Sequence, residues 1–522
     1  MKLWKRAGSV GLSLALCAGL VLPALAHTVT IDGVEGSHQV GTVQQGVTAI
    51  ENSASQSGTI TMDKDESTSG VTINSGSVTL DLSGHTLTGG NDGIRVSGGE
   101  LTLKDSGTGG KVSGDSNGVK VTDGTANITG GTVSGDYSGV EVSEGGTVNI
   151  TGGTVSGGNG VYVYGGSTAT ISGNASISGK HTGVNVSVGT ADISGNATVT
   201  SDSVGVYVLG VGTANISGNA SISGSDEGVF MVGGNAEISG AAAVQGGTSG
   251  VSVLNGNAEI KGGAVSGETG VVVSGGKAEI TGGSVRGETD GVAVQDGTAA
   301  ISGGTVSGKD KGVVVVLGGK AEITDGSVSG ETGVHMYYGT FTMNGGTVGS
   351  MVEGGNAIDI YDTNIDKIAI ELNGGTLYGE VPDGVNTDNV TVKDAPFDPD
   401  APGPAPAPDP GPAPDQGPTP DPAPASDPLT RPAAAMTLLE ELFRRAGGSG
   451  DLWSWAVENG LIDEDGDGAE LVTVALLRAI LTRYAEAFGG NAVAVEELTT
   501  LTGEDDGVVE NCRAVLNEFF GE

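Results

Sequence analysis

The sequence predicts a mainly β chain wound as a parallel β-helix, with three short strands per coil and about 13–14 coils, then a Pro-rich linker and a small α-helical domain. Three observations carry this. First, the dipeptide Gly-Val (once Gly-Ile) recurs with its Gly at 70, 93, 118, 139, 160, 183, 205, 228, 250, 270, 291, 312 and 333, at spacings of 20 to 25 residues. Fixed periods in this range mark solenoids. Second, each unit reads roughly GVxVxxGxAxIxGGxVSG, so apolar side chains alternate with period 2 in three patches, as strands with one buried face do. Third, 97 of the 522 residues are Gly while only 3 Trp, 9 Tyr and 7 Phe are present. Strands this short, separated by Gly turns, cannot build an ordinary sandwich, but they can form the sides of a coil.

The elements follow in chain order. Residues 1–26 are expected to be a secretory signal. Lys2, Lys5 and Arg6 precede an apolar run from Ala7 to Leu22, and the small-residue site Ala24-Leu25-Ala26 predicts cleavage after Ala26. Leu16 stands before Cys17, where a lipoprotein site wants a small residue. No later stretch reaches 18 apolar residues, so no membrane span is expected after signal removal. Cys512 is then the one remaining thiol, which leaves no intramolecular disulfide framework. Residues 27–69 are assigned to an N-terminal cap and first coil, and 70–394 to the repeats. Coils stack about 4.8 Å apart, so the Gly-Val ladder spans roughly 58 Å. The glycines are attributed to sharp corners, where positive φ is cheap for Gly or Asn.

The Gly-Val ladder and the opening stretch Val78-Thr79-Leu80-Asp81-Leu82-Ser83-Gly84-His85-Thr86-Leu87 resemble right-handed parallel β-helix repeat proteins of bacterial surfaces, of the pectate-lyase-like kind. The resemblance covers most of residues 60–385. It implies the fold and leaves the chemistry open, because the fold hosts lyases, hydrolases, adhesins and inert stalks.

A net charge of -40 argues against nucleic acid as a partner, since no basic stripe exists to displace counterions. Within the repeats, the residue before each second-strand Ile forms a column that includes Glu237, Glu259 and Glu279, about 4.8 Å apart. Stacked carboxylates could serve an enzyme or a cation. Lys277 and Lys320 nearby favour a charge-balanced, solvated face. A second acidic group, Asp359, Asp362 and Asp366, is assigned to solvent, with no His expected near either cluster. The Thr/Ser-x-Ser/Thr strands resemble the flat hydroxyl arrays of ice-binding solenoids, but Gln245 and Arg286 interrupt them.

The stronger candidate is aromatic. The outward position after Gly-Val holds Tyr162, Asn185, Tyr207 and Phe230 on consecutive coils, and the next outward position adds Tyr164 and Leu209. Sugar rings present C–H faces that stack on aromatic planes. Tyr162, Tyr164, Tyr207 and Phe230 are therefore the expected glycan-contacting stripe.

Residues 395–432 form the linker, whose polyproline II tendency makes a semi-rigid spacer. Residues 433–522 carry 5 basic and 18 acidic side chains and helical spacings such as Leu476, Leu477, Ile480, Leu481 and Tyr484. Leu429-Thr430-Arg431 with the following AAAMTLLEELFRRAG, and Trp453-Ser454-Trp455-Ala456-Val457-Glu458-Asn459-Gly460-Leu461-Ile462, resemble S-layer homology domains. That resemblance implies tethering to a cell-wall polymer, with Thr430 and Arg431 on the polymer-binding motif. Pro432 and Ala433 depart from the family's Ala-Glu, and one repeat and a half is visible where three are usual. Asp463, Asp465 and Asp467 fit positions 1, 3 and 5 of a Ca2+ loop, while Val474 stands at position 12 in place of the bidentate acid. No other cofactor is expected. The sequence thus points to a secreted protein of the cell wall or cell surface, structural or adhesive, meeting an extracellular glycan or host surface. A polysaccharide lyase or hydrolase on the same scaffold is the alternative.

Overall fold

The computed structural model describes residues 27–361 and 367–397. The chain divides into two units, 1–400 and 401–522, and the described residues all belong to the first. The expected signal, the linker beyond residue 397 and the helical domain lie outside the described residues.

The repeats form a parallel β-solenoid. Gly-Val strands stack in register through Val71, Ile94, Val119, Val140, Val161, Val184 and Val206, and on through Val229, Val251, Val271, Val292, Val313, Val334 and Ile358. We call this ladder A. The Ala-x-Ile strands form ladder B, for example Ile193, Ile216, Ile238 and Ile260. The Thr/Ser-x-Ser/Thr strands form ladder C, for example Val133, Val155, Ile177 and Val199. Within the three ladders the inter-strand bonds link one coil to the next, so each coil satisfies its neighbours' backbone groups.

The core is the set of inward columns. Val119, Val121, Ala126, Ile128 and Val133 of one coil are all fully buried, and the same holds coil after coil. Near the C-terminal end the Ala column gives way to Phe341, which stacks between Ala321 and Ile370 and is also fully buried. The first coil is closed by β1 (His27–Ile31), β2 (His38–Val40) and α1 (Val43–Glu51). β1 runs antiparallel to β3 (Ser57–Met62), breaking the parallel ladder at its edge. Thr42 caps α1 by accepting from the Gln45 amide, and Val43, Val47 and Ile50 bury against the first coil. An edge covered this way offers no strand for a passing chain to join.

The structure corrects one physical reason. Most glycines of the Gly-Val dipeptides, from Gly93 to Gly333, do not have positive φ. They are required because the backbone of the next coil passes too close. A Cβ on Gly205 would sit 2.6 Å from the Gly228 carbonyl oxygen and 2.7 Å from Ile222 Cγ2. Positive φ belongs to glycines of other turns, such as Gly195 and Gly218.

The stretch around Asp81 is a turn held by carboxylates. Asp81 Oδ1 accepts from the Ser83 and Ser106 amides at 3.0 and 2.9 Å, and Lys104 Nζ lies 3.2 Å from Oδ2. Burial alone would raise this carboxyl, but the hydrogen bonds from Ser106 and Ser83 and the Lys104 ammonium outweigh it, and the net shift is downward.

Two outcomes are expected. Gly205→Ala should lower unfolding stability by about 1–3 kcal/mol, because the clash is with backbone that cannot rotate away; an unchanged denaturation midpoint would contradict the close-approach reason. A carboxyl depressed in the fold stabilises above its unfolded pKa of about 3.9 and loses that contribution as pH falls through its folded value. The melting temperature of the native protein should therefore drop in acid more steeply than that of Asp81→Asn.

Candidate binding face on ladder A

The three outer faces differ in chemistry. On ladder B, the column with Glu237, Glu259 and Glu279 is in register as the spacing requires. Lys261 Nζ lies 2.7 Å from Glu237 and 3.0 Å from Glu259, and Lys277 contacts Glu279. Hydrogen bonds to the Glu237 and Glu259 carboxylates push the Lys261 ammonium upward. The column is charge-compensated by its own lysines. Earlier in the same column, side-chain amides bond from coil to coil, with Asn149 Nδ2 donating to Asn127 Oδ1 at 2.8 Å and Asn215 Nδ2 to Asp192 Oδ1 at 2.7 Å. Ladder C presents hydroxyls. A groove of about 440 Å3 runs beside it, lined by Ser134, Ser156, Ser178, Lys111, Lys180 and Asp136 among others.

Ladder A is the aromatic face. Register places Tyr162 beside Asn185, Asn185 beside Tyr207, and Tyr207 beside Phe230. The Tyr207 and Phe230 rings stack at 5.5 Å with 19° between planes. Tyr162 stacks on Tyr164 at 4.8 Å and 25°. Leu209, Val232 and Leu254 continue the adjoining column. Burial raises the Tyr207 phenol, as expected for a ring lying against its neighbours on the strand surface. The four aromatic residues named from the sequence thus form two stacked pairs on one face, separated by the coil of Asn185.

The sequence reading missed what lies on the N-terminal side of this stripe. Extending the Tyr162 column back gives Glu141, then Lys120, then Arg95. Glu141 is 5% exposed although it belongs to the outward column. Its Oε1 accepts from the Tyr164 phenol at 2.9 Å and lies 2.6 Å from Lys120 Nζ. Burial lowers the Lys120 ammonium, but the Glu141 hydrogen bond and charge outweigh it and the net shift is upward. Burial, reinforced by the Glu141 charge, raises the Tyr137 phenol. Tyr137 comes from the turn between ladders C and A and packs edge-on to Tyr162 at 6.1 Å and 83°. The neighbouring Asp136 lines the groove along ladder C, so groove and aromatic face share this corner.

A second missed group closes the same face at its C-terminal end. Register sets His335 against Asp359, with Nδ1 2.7 Å from Oδ2, which corrects the expectation that no His meets this acidic cluster. Tyr337 lies edge-on to His335 at 4.5 Å and tilts against Tyr361 at 5.1 Å. Lys367 Nζ stands 5.6 Å from the centre of the Tyr338 ring. Asp362 and Asp366 lie outside the described residues, as do Thr430, Arg431, Asp463, Asp465, Asp467 and Cys512. Among the described residues, no three His, Cys, Asp or Glu side chains gather as a metal-holding group, and no helix is long and apolar enough to cross a membrane.

Compared with known families, residues 138–285 match the model for a right handed beta helix region. With the ladders above, this makes the described portion a right-handed parallel β-helix repeat protein. The matched segment contains Glu141, Tyr162, Tyr164, Tyr207 and Phe230. No curated protein and no solved structure matches the chain.

The Lys120–Glu141 pair makes its own prediction. Removing one partner of a largely buried pair strands the other charge, whereas replacing both by apolar groups does not. Lys120→Met should cost about 3 kcal/mol, and the double variant Lys120→Met/Glu141→Leu should recover at least half of that loss in denaturant melts. Additive losses would mean the pair is not coupled.

Proposed function

We propose that the protein is a secreted, cell-surface β-solenoid whose ladder A face binds an extended extracellular glycan, with the C-terminal region tethering it to a cell-wall polymer. The observation that carries the binding reading is the pair of stacked aromatic sets, Tyr162/Tyr164 and Tyr207/Phe230, on one face of a chain with few aromatics. Their carrier is periodic at about 4.8 Å per coil, so a polymer lying along the axis meets aromatic contacts at Tyr162, two coils on at Tyr207 and one further at Phe230. Aromatic planes bury apolar area while leaving sugar hydroxyls in water. These half-buried rings make an apolar row on the outer side of the ladder, and apolar rows of this kind mark interaction sites.

Surface display is supported by the sequence: the signal-like residues 1–26, the Pro-rich spacer, and the S-layer-homology resemblance around Thr430 and Arg431. Adhesion or wall structure, rather than turnover, is the reading we favour. A lyase or hydrolase on the same scaffold would draw on the glutamate column, where Lys261 and Lys277 already engage the carboxylates.

The test is a glycan array with the full chain, followed by affinity measurements on whichever polymer binds. Tyr162→Ala, Tyr207→Ala and Phe230→Ala should each weaken binding by about five- to tenfold. Release of reducing ends or of unsaturated products should stay at background, with or without calcium. Binding that survives all three substitutions sinks the aromatic face as the site, and product release sinks the non-enzymatic reading.

A further inference from the structure

We infer that Lys120 and Tyr164 form a polar subsite at the N-terminal end of the aromatic stripe, which reads a pair of adjacent hydroxyls on a neutral sugar unit bound beside the Tyr162 and Tyr164 rings. This rests on the glycan-binding reading of ladder A and names the class of sugar it takes.

The argument starts from Glu141. A carboxylate in the outward column of a solenoid would ordinarily point into water, yet this one is 5% exposed. One of its oxygens takes both the Tyr164 phenol proton and the Lys120 ammonium, at 2.9 and 2.6 Å. Two consequences follow. The Tyr164 hydroxyl has spent its proton, so what it offers a ligand is lone pairs. The Lys120 ammonium has three protons and uses one on Glu141, so what it offers is donors. Because both groups sit on the same Glu141 oxygen, donor and acceptor are held side by side. Adjacent sugar hydroxyls are each a donor and an acceptor, and they fit such a couple with one accepting from Lys120 and the other donating to Tyr164.

The ring platform is part of the same unit. Tyr164 stacks on Tyr162, and Tyr137 closes the other side edge-on, so the hydrogen bond to Glu141 also fixes the platform's orientation.

The charge balance chooses the class. The Lys120 charge is already met by Glu141, and the next cation of the column, Arg95, is paired with Asp92 at 3.7 Å. An anionic unit would have to draw Lys120 off a buried carboxylate, which leaves that carboxylate unpaired. A neutral hexose needs no such exchange.

The experiment is titration calorimetry on the full chain with soluble gluco-, manno- and galacto-configured oligosaccharides of four or more units, and with oligogalacturonate as the anionic probe. Wild type should bind at least one neutral series and bind oligogalacturonate more weakly. Tyr164→Phe keeps the ring and removes the oxygen. It should weaken that neutral series by about tenfold and shrink the preference among epimers, with the melting temperature held within a few degrees. Lys120→Met should do the same to affinity. A merely structural role for Tyr164 would leave the epimer preference unmoved. If Tyr162→Ala, Tyr207→Ala and Phe230→Ala abolish binding while Tyr164→Phe keeps both affinity and epimer order, the polar subsite is wrong and the aromatic face stands. Tighter binding of oligogalacturonate than of every neutral series overturns the neutral class. If no neutral series binds, or binding ignores the three aromatic substitutions, the glycan reading itself fails and takes the subsite with it.

Discussion

The described part of this molecule depends on backbone hydrogen bonds that repeat in register from one coil to the next. That single constraint converts sequence period into spatial column. It puts Val over Val in ladder A and Ile over Ile in ladder B, and it lets a core only a few side chains wide stay continuous. It also fixes what glycine is for. Where consecutive coils approach within about one van der Waals contact, a Cβ has no room, and Gly205 against the Gly228 carbonyl is the plain case. The same closeness stacks outward side chains, so surface chemistry is written in rows rather than spots.

Rows of one kind compensate or reinforce themselves. On ladder B the carboxylates of Glu237 and Glu259 would repel at coil spacing, and Lys261 between them removes the conflict. Asn127 and Asn149 solve the equivalent problem for amides by bonding end to end. On ladder A the aromatic rings gain by stacking, as Tyr207 does on Phe230. A periodic scaffold therefore gives three chemically distinct faces from one repeat unit.

Much of this was legible in the residues. The Gly-Val ladder gave the coil count and the columns, and counting two residues past each Gly found Tyr162, Asn185, Tyr207 and Phe230 as neighbours. Glu141 and Lys120 were within reach of the same counting, one and two coils back. They were passed over because charged residues in an outward column look like ordinary solvated ones, whereas Glu141 is held by the Tyr164 phenol and the Lys120 ammonium. Tyr137 itself lies in a turn, where no periodicity predicts a direction. His335 and Asp359 were hidden for another reason. No Gly-Val dipeptide marks the coil of Asp359, where Ala357-Ile358 stands instead, and only the strand pairing shows that they are opposite each other. The glycine argument failed at a different level: sequence locates glycine but cannot tell a φ requirement from a clearance requirement.

The most direct measurement of the in-register coil is a set of spin-label distances along ladder A in a background with both native cysteines, Cys17 and Cys512, replaced by Ser. Labels on cysteines replacing Asn185 paired with Val272, Val314 or Asp359 sit four, six and eight coils apart, and should give distances near 19, 29 and 38 Å, rising by about 4.8 Å per coil. Distances that fail to grow linearly with coil number, or that spread as in an unordered chain, would contradict the stacked columns and the binding face built on them.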